Sequence, residues 1–196
     1  MRDTQFPGRS VVMSTRGMAS TSHPLATSVA LDVLRDGGNA MDAAVAACAT
    51  LCVTEPQSTG IGGDCFLLYY EAKTGELFGL NGSGRAPAGA TLAAYQERGY
   101  QEMPAVGIHA ATVPGAIDAW ECALGRFGTR TIAESLRPAI YFATEGYPVT
   151  PVIAGVWKSC EELLSHYECS SRALLVDGKA PLAGSLHRQP DLARSL

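Results

Sequence analysis

At 196 residues, 46% of them hydrophobic and 17% charged, the chain is long enough to bury a core and is expected to be globular. A formal net charge of -4 and a sequence pI near 5.5 leave no positive excess to neutralise phosphates. That excludes a nucleic acid or an anionic membrane surface as the expected partner.

The first residues carry Arg2, Arg9 and Arg16 without a continuous apolar run, so no secretory signal is expected. Residues 10–14 read as a first strand, followed by a turn at Gly17. Thr21, Ser22, His23 and Pro24 then form a polar cap with proline near the first helical position, and Leu25, Val29, Leu31, Val33 and Leu34 give a helical apolar stripe. Gly37 and Gly38 end that helix. Asn39 suits the N-cap of the next, an alanine-rich segment over residues 40–53 whose small side chains let neighbours approach closely. Such a helix, apolar on nearly every side, is normally sandwiched between other elements. It is too short to cross a bilayer. The six cysteines, at 48, 52, 65, 122, 160 and 169, include no C-x-x-C pair. Neither zinc nor a secreted disulfide framework is expected, and a reducing cytoplasm fits best. Cys48 and Cys52, four apart on one helix face, read as small core residues.

Residues 55–66 are the most unusual stretch. Pro56 halts the helix, and Gly60, Gly62 and Gly63 allow positive φ or close backbone approach. Two readings stay open at this point: a tight helix-to-strand connection, or a loop that contacts a ligand. Residues 66–71 and 76–80 then flank a four-residue turn and read as a hairpin. Its second strand runs into Asn81-Gly82-Ser83-Gly84-Arg85-Ala86-Pro87. An arginine on a glycine-rich strand end is well placed to meet a carboxylate, because its planar fork donates two charge-assisted hydrogen bonds. The plain alternative is a surface arginine in a local ion pair.

A short helix is expected over residues 92–98 and a strand over 109–113. Pro114 should open a helix running to about Leu124, stopped by Gly125 and Gly128. Thr131 and Glu134 match a capping box for a helix that contains Pro138 and ends at Gly146. Thr150-Pro151 starts another, with Val152, Ile153, Val156, Trp157, Cys160, Leu163 and Leu164 at helical spacing, and Trp157 reads as core. The tail from Ser170 is less regular, with a turn at Asp177-Gly178 and a helix over 190–196. The order of elements predicts an α+β or layered α/β arrangement, most economically one domain over residues 1–196.

Several familiar devices are missing: G-x-S-x-G, H-E-x-x-H, a Walker loop and any paired metal-ligand motif. His23, His109, His166 and His187 stand alone and read as capping, core or surface residues. A nucleotide-binding use of Gly60 to Gly63 is disfavoured because the glycines precede a strand instead of opening a helix. No cofactor or metal is called for.

The ordered segments Gly17-Met18-Ala19, Ser22-His23-Pro24-Leu25-Ala26, Gly37-Gly38-Asn39-Ala40-Met41-Asp42-Ala43-Ala44, Glu55-Pro56-Gln57-Ser58-Thr59-Gly60-Ile61-Gly62-Gly63 and Val113-Pro114-Gly115 closely resemble the γ-glutamyltransferase (γ-glutamyltranspeptidase) family. Leu136-Arg137-Pro138-Ala139-Ile140 and Arg188-Gln189-Pro190-Asp191-Leu192-Ala193 are similar to further stretches of it. The resemblance implies a four-layer α-β-β-α N-terminal-nucleophile hydrolase, incomplete in this chain, which corresponds to the N-terminal part of the large subunit of a self-cleaving precursor. It implies acyl transfer from γ-glutamyl or related amides of the glutathione type. The nucleophile is then a threonine at the start of the small subunit, activated by its own α-amine, and the oxyanion donors belong to that subunit too. Nothing resembling the cleavage site occurs here, so no catalytic residue is assigned within these residues and the chain alone is expected to be inactive. Its expected partners are a small-molecule amide and the missing small-subunit segment.

In the family an arginine after the hairpin holds the substrate's α-carboxylate. With Ala86-Pro87 aligned, Ser83 occupies that position and Arg85 lies two residues later, which along an extended strand keeps the same face at about 6 to 7 Å displacement. Arg85 is the expected substrate-binding residue. The Asn-Gly-Ser-Gly-Arg-Ala-Pro version resembles the branch that includes cephalosporin acylases. The alternative is an inactive truncated fragment, or a non-catalytic half that pairs with a separate chain.

Overall fold

The computed structural model describes residues 11–196. Its centre is helix α2 (Ala40–Thr54), packed between α1 (Pro24–Arg35) on one side and α5 (Ile132–Glu145) on the other, with α4 (Ala116–Phe127) also against it. The alanine pattern explains the arrangement. Ala43, Ala46 and Ala47 pack on Ala26, Val29, Ala30 and Val33 of α1, while Met41, Val45, Ala49, Cys52 and Val53 turn into the larger core with Trp120, Leu124, Leu136, Ala139 and Trp157. The sandwiched helix is therefore as expected, except that Ala44 and Cys48 form an exposed strip. Cys52 is buried and Cys48 is not, which corrects half of that pair's reading: among the described residues nothing covers this side of α2 at Cys48.

Caps define the helix starts. His23 is the N-cap of α1, its Nδ1 accepting from the Leu25 N–H at 3.2 Å. Asn39 and Asp42 form a capping box on α2, and Thr131 with Glu134 forms the expected one on α5. Asp42 goes further. Fully buried, it accepts from the backbone N–H groups of Asn39, Thr129 and Arg130 and from the Thr129 hydroxyl, at 2.7 to 3.0 Å. Its carboxylate joins the start of α2 to the loop before α5.

Strands β1 (Cys65–Glu71) and β2 (Glu76–Gly82) form an antiparallel hairpin in the register Leu67↔Leu80 and Tyr69↔Phe78. The inward row, Cys65, Leu67 and Tyr69, packs on the core; Tyr69 and Phe78 stack on Phe127 of α4 at centroid distances of 4.4 and 5.0 Å. The outward row is also apolar, with Phe66, Leu68, Tyr70 and Leu77 62–78% exposed.

After α3 (Leu92–Glu97), the strand expected at 109–113 is replaced by a 3-10 turn, Ile108–Ala110, and irregular chain. Gly107, at φ +88, breaks the extension ahead of it, and beyond the local bonds of the 3-10 turn the segment contributes one long-range backbone bond, Val113 N–H to Arg85 O, instead of a ladder. The first strand expected over 10–14 falls partly on Ser10, outside the described residues; residues 11–14 are irregular and exposed. The remaining elements are the two-residue strands β3 (Tyr147–Pro148) and β4 (Leu186–His187), which pair antiparallel, and helices α6 (Pro151–Ser159), α7 (Glu161–Ser165), α8 (Glu168–Leu174) and α9 (Pro190–Ser195). The single helix read from Thr150 to Leu164 breaks at Cys160 into α6 and α7. Trp157 is fully buried, as its spacing predicted. Asp177 and Gly178, both at positive φ, make the expected turn, closed by the Val176–Lys179 bridge. No helix among the described residues is long and apolar enough to cross a membrane.

Candidate functional site

Three segments far apart in sequence meet at the end of the hairpin. The carbonyl of Gly63 accepts from the N–H groups of Gly115 and Ala116, at 3.0 and 3.1 Å, and so caps α4 from outside. Val113 N–H donates to the Arg85 carbonyl at 2.9 Å, and the Thr112 hydroxyl donates to the Ser83 carbonyl at 3.0 Å. Contact between these backbones is close enough to demand glycine. A Cβ on Gly115 would sit 2.5 Å from the Gly84 nitrogen, and one on Gly82 would sit 2.5 Å from the Ala119 Cβ. Gly84 has φ +76, and a Cβ there would overlap the Val113 carbonyl.

That left-handed residue corrects the expected path of the strand exit. The ladder ends at Gly82, and Gly84 turns the chain, so Ser83 and Arg85 are not two positions on one extended face. Arg85 is exposed, and among the described residues its guanidinium has no ion-pair or hydrogen-bond partner. The local ion pair that would make it an ordinary surface arginine is therefore not formed among them. Ser83 is half-buried; its N–H donates to the Asn81 side-chain oxygen at 3.0 Å.

The glycine loop itself needs glycine less than its composition suggested. Gly60, Gly62 and Gly63 have no positive φ, and a Cβ on Gly60 or Gly62 would meet nothing within 4 Å. Their side faces open space, and the backbone at Gly60 and Gly62 is exposed.

The loop's two ends are held firmly. Glu55, the C-cap of α2, is buried and accepts from the Ser22 hydroxyl at 2.9 Å. The Gln189 side chain donates to the Val53 carbonyl at 2.7 Å, and its own backbone N–H donates to Ala143. Behind them lies a row of buried rings, His23, Tyr147, His187 and Trp157, with successive centroids 6.5, 6.0 and 4.8 Å apart. Burial pushes the His187 imidazole below its ordinary pKa. It does the same to His23, against a smaller upward pull from the Glu55 carboxylate. Both rings are neutral at pH 7. Reading the histidines as core and capping residues thus holds for 187 and 23, while His109 stands in an aromatic cluster with Tyr95 and Tyr100. The link from Ser22 to Glu55 was not visible in the sequence, because 33 residues separate the partners and no local pattern connects them.

No group of three or more His, Cys, Asp or Glu side chains able to hold a metal occurs among the described residues. Among the described residues the buried carboxylates of Glu55 and Asp42 accept from the Ser22 and Thr129 hydroxyls, and these pairs tie helix ends and loops together away from the hairpin exit; what the hairpin exit offers is an unpaired cation on a glycine-framed turn.

The helix-backed hairpin has the fold of part of an N-terminal-nucleophile hydrolase. Residues 26–196 match the family described as gamma-glutamyltranspeptidase, and the chain belongs to that family. It is 37% identical over 188 residues to a Glutathione hydrolase proenzyme of Bacillus subtilis (strain 168), covering 91% of this chain and 31% of that protein. Similarity to an Oxamate amidohydrolase proenzyme of Klebsiella pneumoniae is 40% over 190 residues, covering 94% and 35%. A crystal structure of a cephalosporin acylase from Bacillus halodurans superposes with a TM-score of 0.82 at 40% identity, over 97% of this chain and 38% of that one. The chain spans about a third of the length of these curated relatives.

Proposed function

We propose that the whole protein is an amidohydrolase or acyltransferase acting on γ-glutamyl or related acyl amides, and that these residues build the carboxylate-binding side of its pocket. The supporting relatives are named for glutathione, oxamate and cephalosporin chemistry, and each of these implies attack on an amide carbonyl. The hydroxyl of an N-terminal threonine, from polypeptide beyond these residues, bonds to the acyl carbon. The C–N bond breaks, and the amine departs with the proton that the hydroxyl gave up to the α-amine. Water or a second amine then takes the acyl group from the ester.

One observation carries the reading of the site. The segments at Gly63, Gly82 to Arg85 and Val113 to Gly115 interlock through backbone contacts that admit no side chain at Gly82, Gly84 or Gly115, and they leave the Arg85 guanidinium exposed and unpaired among the described residues. In this reading Arg85 pairs with the substrate's carboxylate, in a place shifted from the family's usual arginine, where Ser83 stands. A charged hydrogen bond of roughly 1.5 to 3 kcal/mol corresponds to a tenfold or greater effect on binding. Hydrolysis of γ-glutamyl 4-nitroanilide by the full-length, self-cleaved enzyme tests it. Arg85→Ala is expected to raise KM by about that factor with kcat little changed; an unchanged KM removes Arg85 from the role.

A further inference from the structure

Resting on the amide-cleaving reading above, we propose that the hollow next to Arg85 is a subsite for an aryl or branched-alkyl group on the acyl part of the substrate. Arg85 runs directly into Ala86 and Pro87, and both line a cavity of about 370 Å³. That is within the usual range for a small-molecule site. Its other walls include Leu92 and Tyr95 of α3, Tyr100, Met103 and His109, with Gln101 and Glu102 in the polar part of the lining. The Tyr95, Tyr100 and His109 rings form a closed triangle with centroids 5.8 to 6.2 Å apart. Tyr95 is fixed by donating its hydroxyl to the His109 carbonyl at 2.7 Å, so this polar atom is already used and the ring remains as an apolar wall.

The chemistry of the walls selects the ligand. Leu92 and Met103 are 75% and 63% exposed, large apolar side chains whose surface gains from contact with an apolar group. A bare γ-glutamyl group, small and doubly charged apart from its amide, gains little from such walls. Ala86 and Pro87 line the hollow and directly follow Arg85 in the chain, so the hollow begins one residue beyond that cation. The matching acyl group carries one carboxylate and one aryl or branched-alkyl substituent.

The full-length, self-cleaved enzyme and two 4-nitroanilides, glutaryl and 3-phenylglutaryl, provide the test. The phenyl substrate is expected to have a kcat/KM at least about tenfold higher. In the Leu92→Gln/Met103→Gln variant, altered only at exposed positions, that preference is expected to vanish through KM while the glutaryl rate is kept. Free 3-phenylglutarate is also expected to shift the His109 imidazole resonances saturably in the parent and not in the variant. If that shift occurs while no anilide is cleaved, the subsite stands and the amide-cleaving reading falls. Cleavage of both substrates at equal efficiency, unaffected by the variant and without a His109 shift, overturns the subsite and leaves the reaction. A crystal structure of the full-length protein with Leu92 and Met103 covered by another segment of its own polypeptide overturns it as well.

Discussion

Asp42 shows how much of this structure rests on single side chains. Burial alone raises a carboxyl's pKa, but here the hydrogen bonds from the Thr129 hydroxyl and from the backbones of Asn39, Thr129 and Arg130 outweigh it and hold the group below the ordinary carboxylate range. A depressed folded-state pKa contributes stability that is present above the unfolded value, near 3.9, and lost as pH falls through the folded one. Asp42→Ala removes the common acceptor of three backbone donors and is expected to cost about 3 kcal/mol, read as a shift in the midpoint of urea unfolding of the full-length protein. A shift under about 0.5 kcal/mol contradicts this account of the residue. Gly84 is a second such position. Alanine there meets both the strain of φ +76 and the Val113 carbonyl, so Gly84→Ala is expected to destabilise by more than about 1 kcal/mol and to raise KM for a carboxylate-bearing anilide by displacing Arg85. Stability and KM equal to the parent's would show that the turn is not needed.

Among the elements, those announced by local chemistry were legible and those set by distant partners were not. The N-cap at Asn39, the capping box at Thr131, the hairpin, the Asp177-Gly178 turn and the buried Trp157 all follow from residues within a few positions of one another, whereas the return bond from Asp42 that completes a box on Asn39 was not read. Helix α4 does not. Its start lies at Ala116, past Pro114, because the orphan N–H groups of Gly115 and Ala116 are taken by the Gly63 carbonyl, 52 residues away for Gly115. Likewise the expected strand at 109–113 found one backbone partner at Arg85 and no ladder. The pairing of β3 with β4 joins residues 40 apart, Tyr147 and His187, with no pattern to announce it. Of the candidate site, Arg85 and the motif segments around it were readable, but their mutual contact and the Gly84 turn were not. The ring row that links α1, β3, β4 and α6 carries its own prediction. His23 and His187, held neutral by burial, have folded pKa values below their unfolded ones, so the unfolded chain binds more protons as pH drops below about 6.5. Stability is complete above that pH and declines toward the folded values. The Tm of the full-length protein is expected to fall between pH 7 and pH 5, and less steeply in His187→Phe. Identical slopes in the two proteins would remove His187 from the effect.

For the molecule as a whole, the feature that matters is a hairpin apolar on both faces. The exposed row of Phe66, Leu68, Tyr70 and Leu77 is what an interior sheet of a layered sandwich presents before its second layer is added. Among the described residues this sheet leaves a continuous row of large apolar side chains open, whereas α2 is covered except for a strip at Ala40, Ala44 and Cys48. The isolated 196-residue chain is therefore expected to self-associate in sedimentation, and a compact soluble monomer would contradict that expectation. In the proposed reading the same asymmetry frames the chemistry: these residues supply the cation at Arg85, and the nucleophile comes from other polypeptide. The most direct measurement is turnover of γ-glutamyl 4-nitroanilide and 3-phenylglutaryl 4-nitroanilide by two purified preparations, the 196-residue chain and the full-length gene product. The account predicts self-cleavage of the full-length protein into two polypeptides with release of 4-nitroaniline from at least one substrate, and none from the 196-residue chain. Release by the 196-residue chain alone would contradict it.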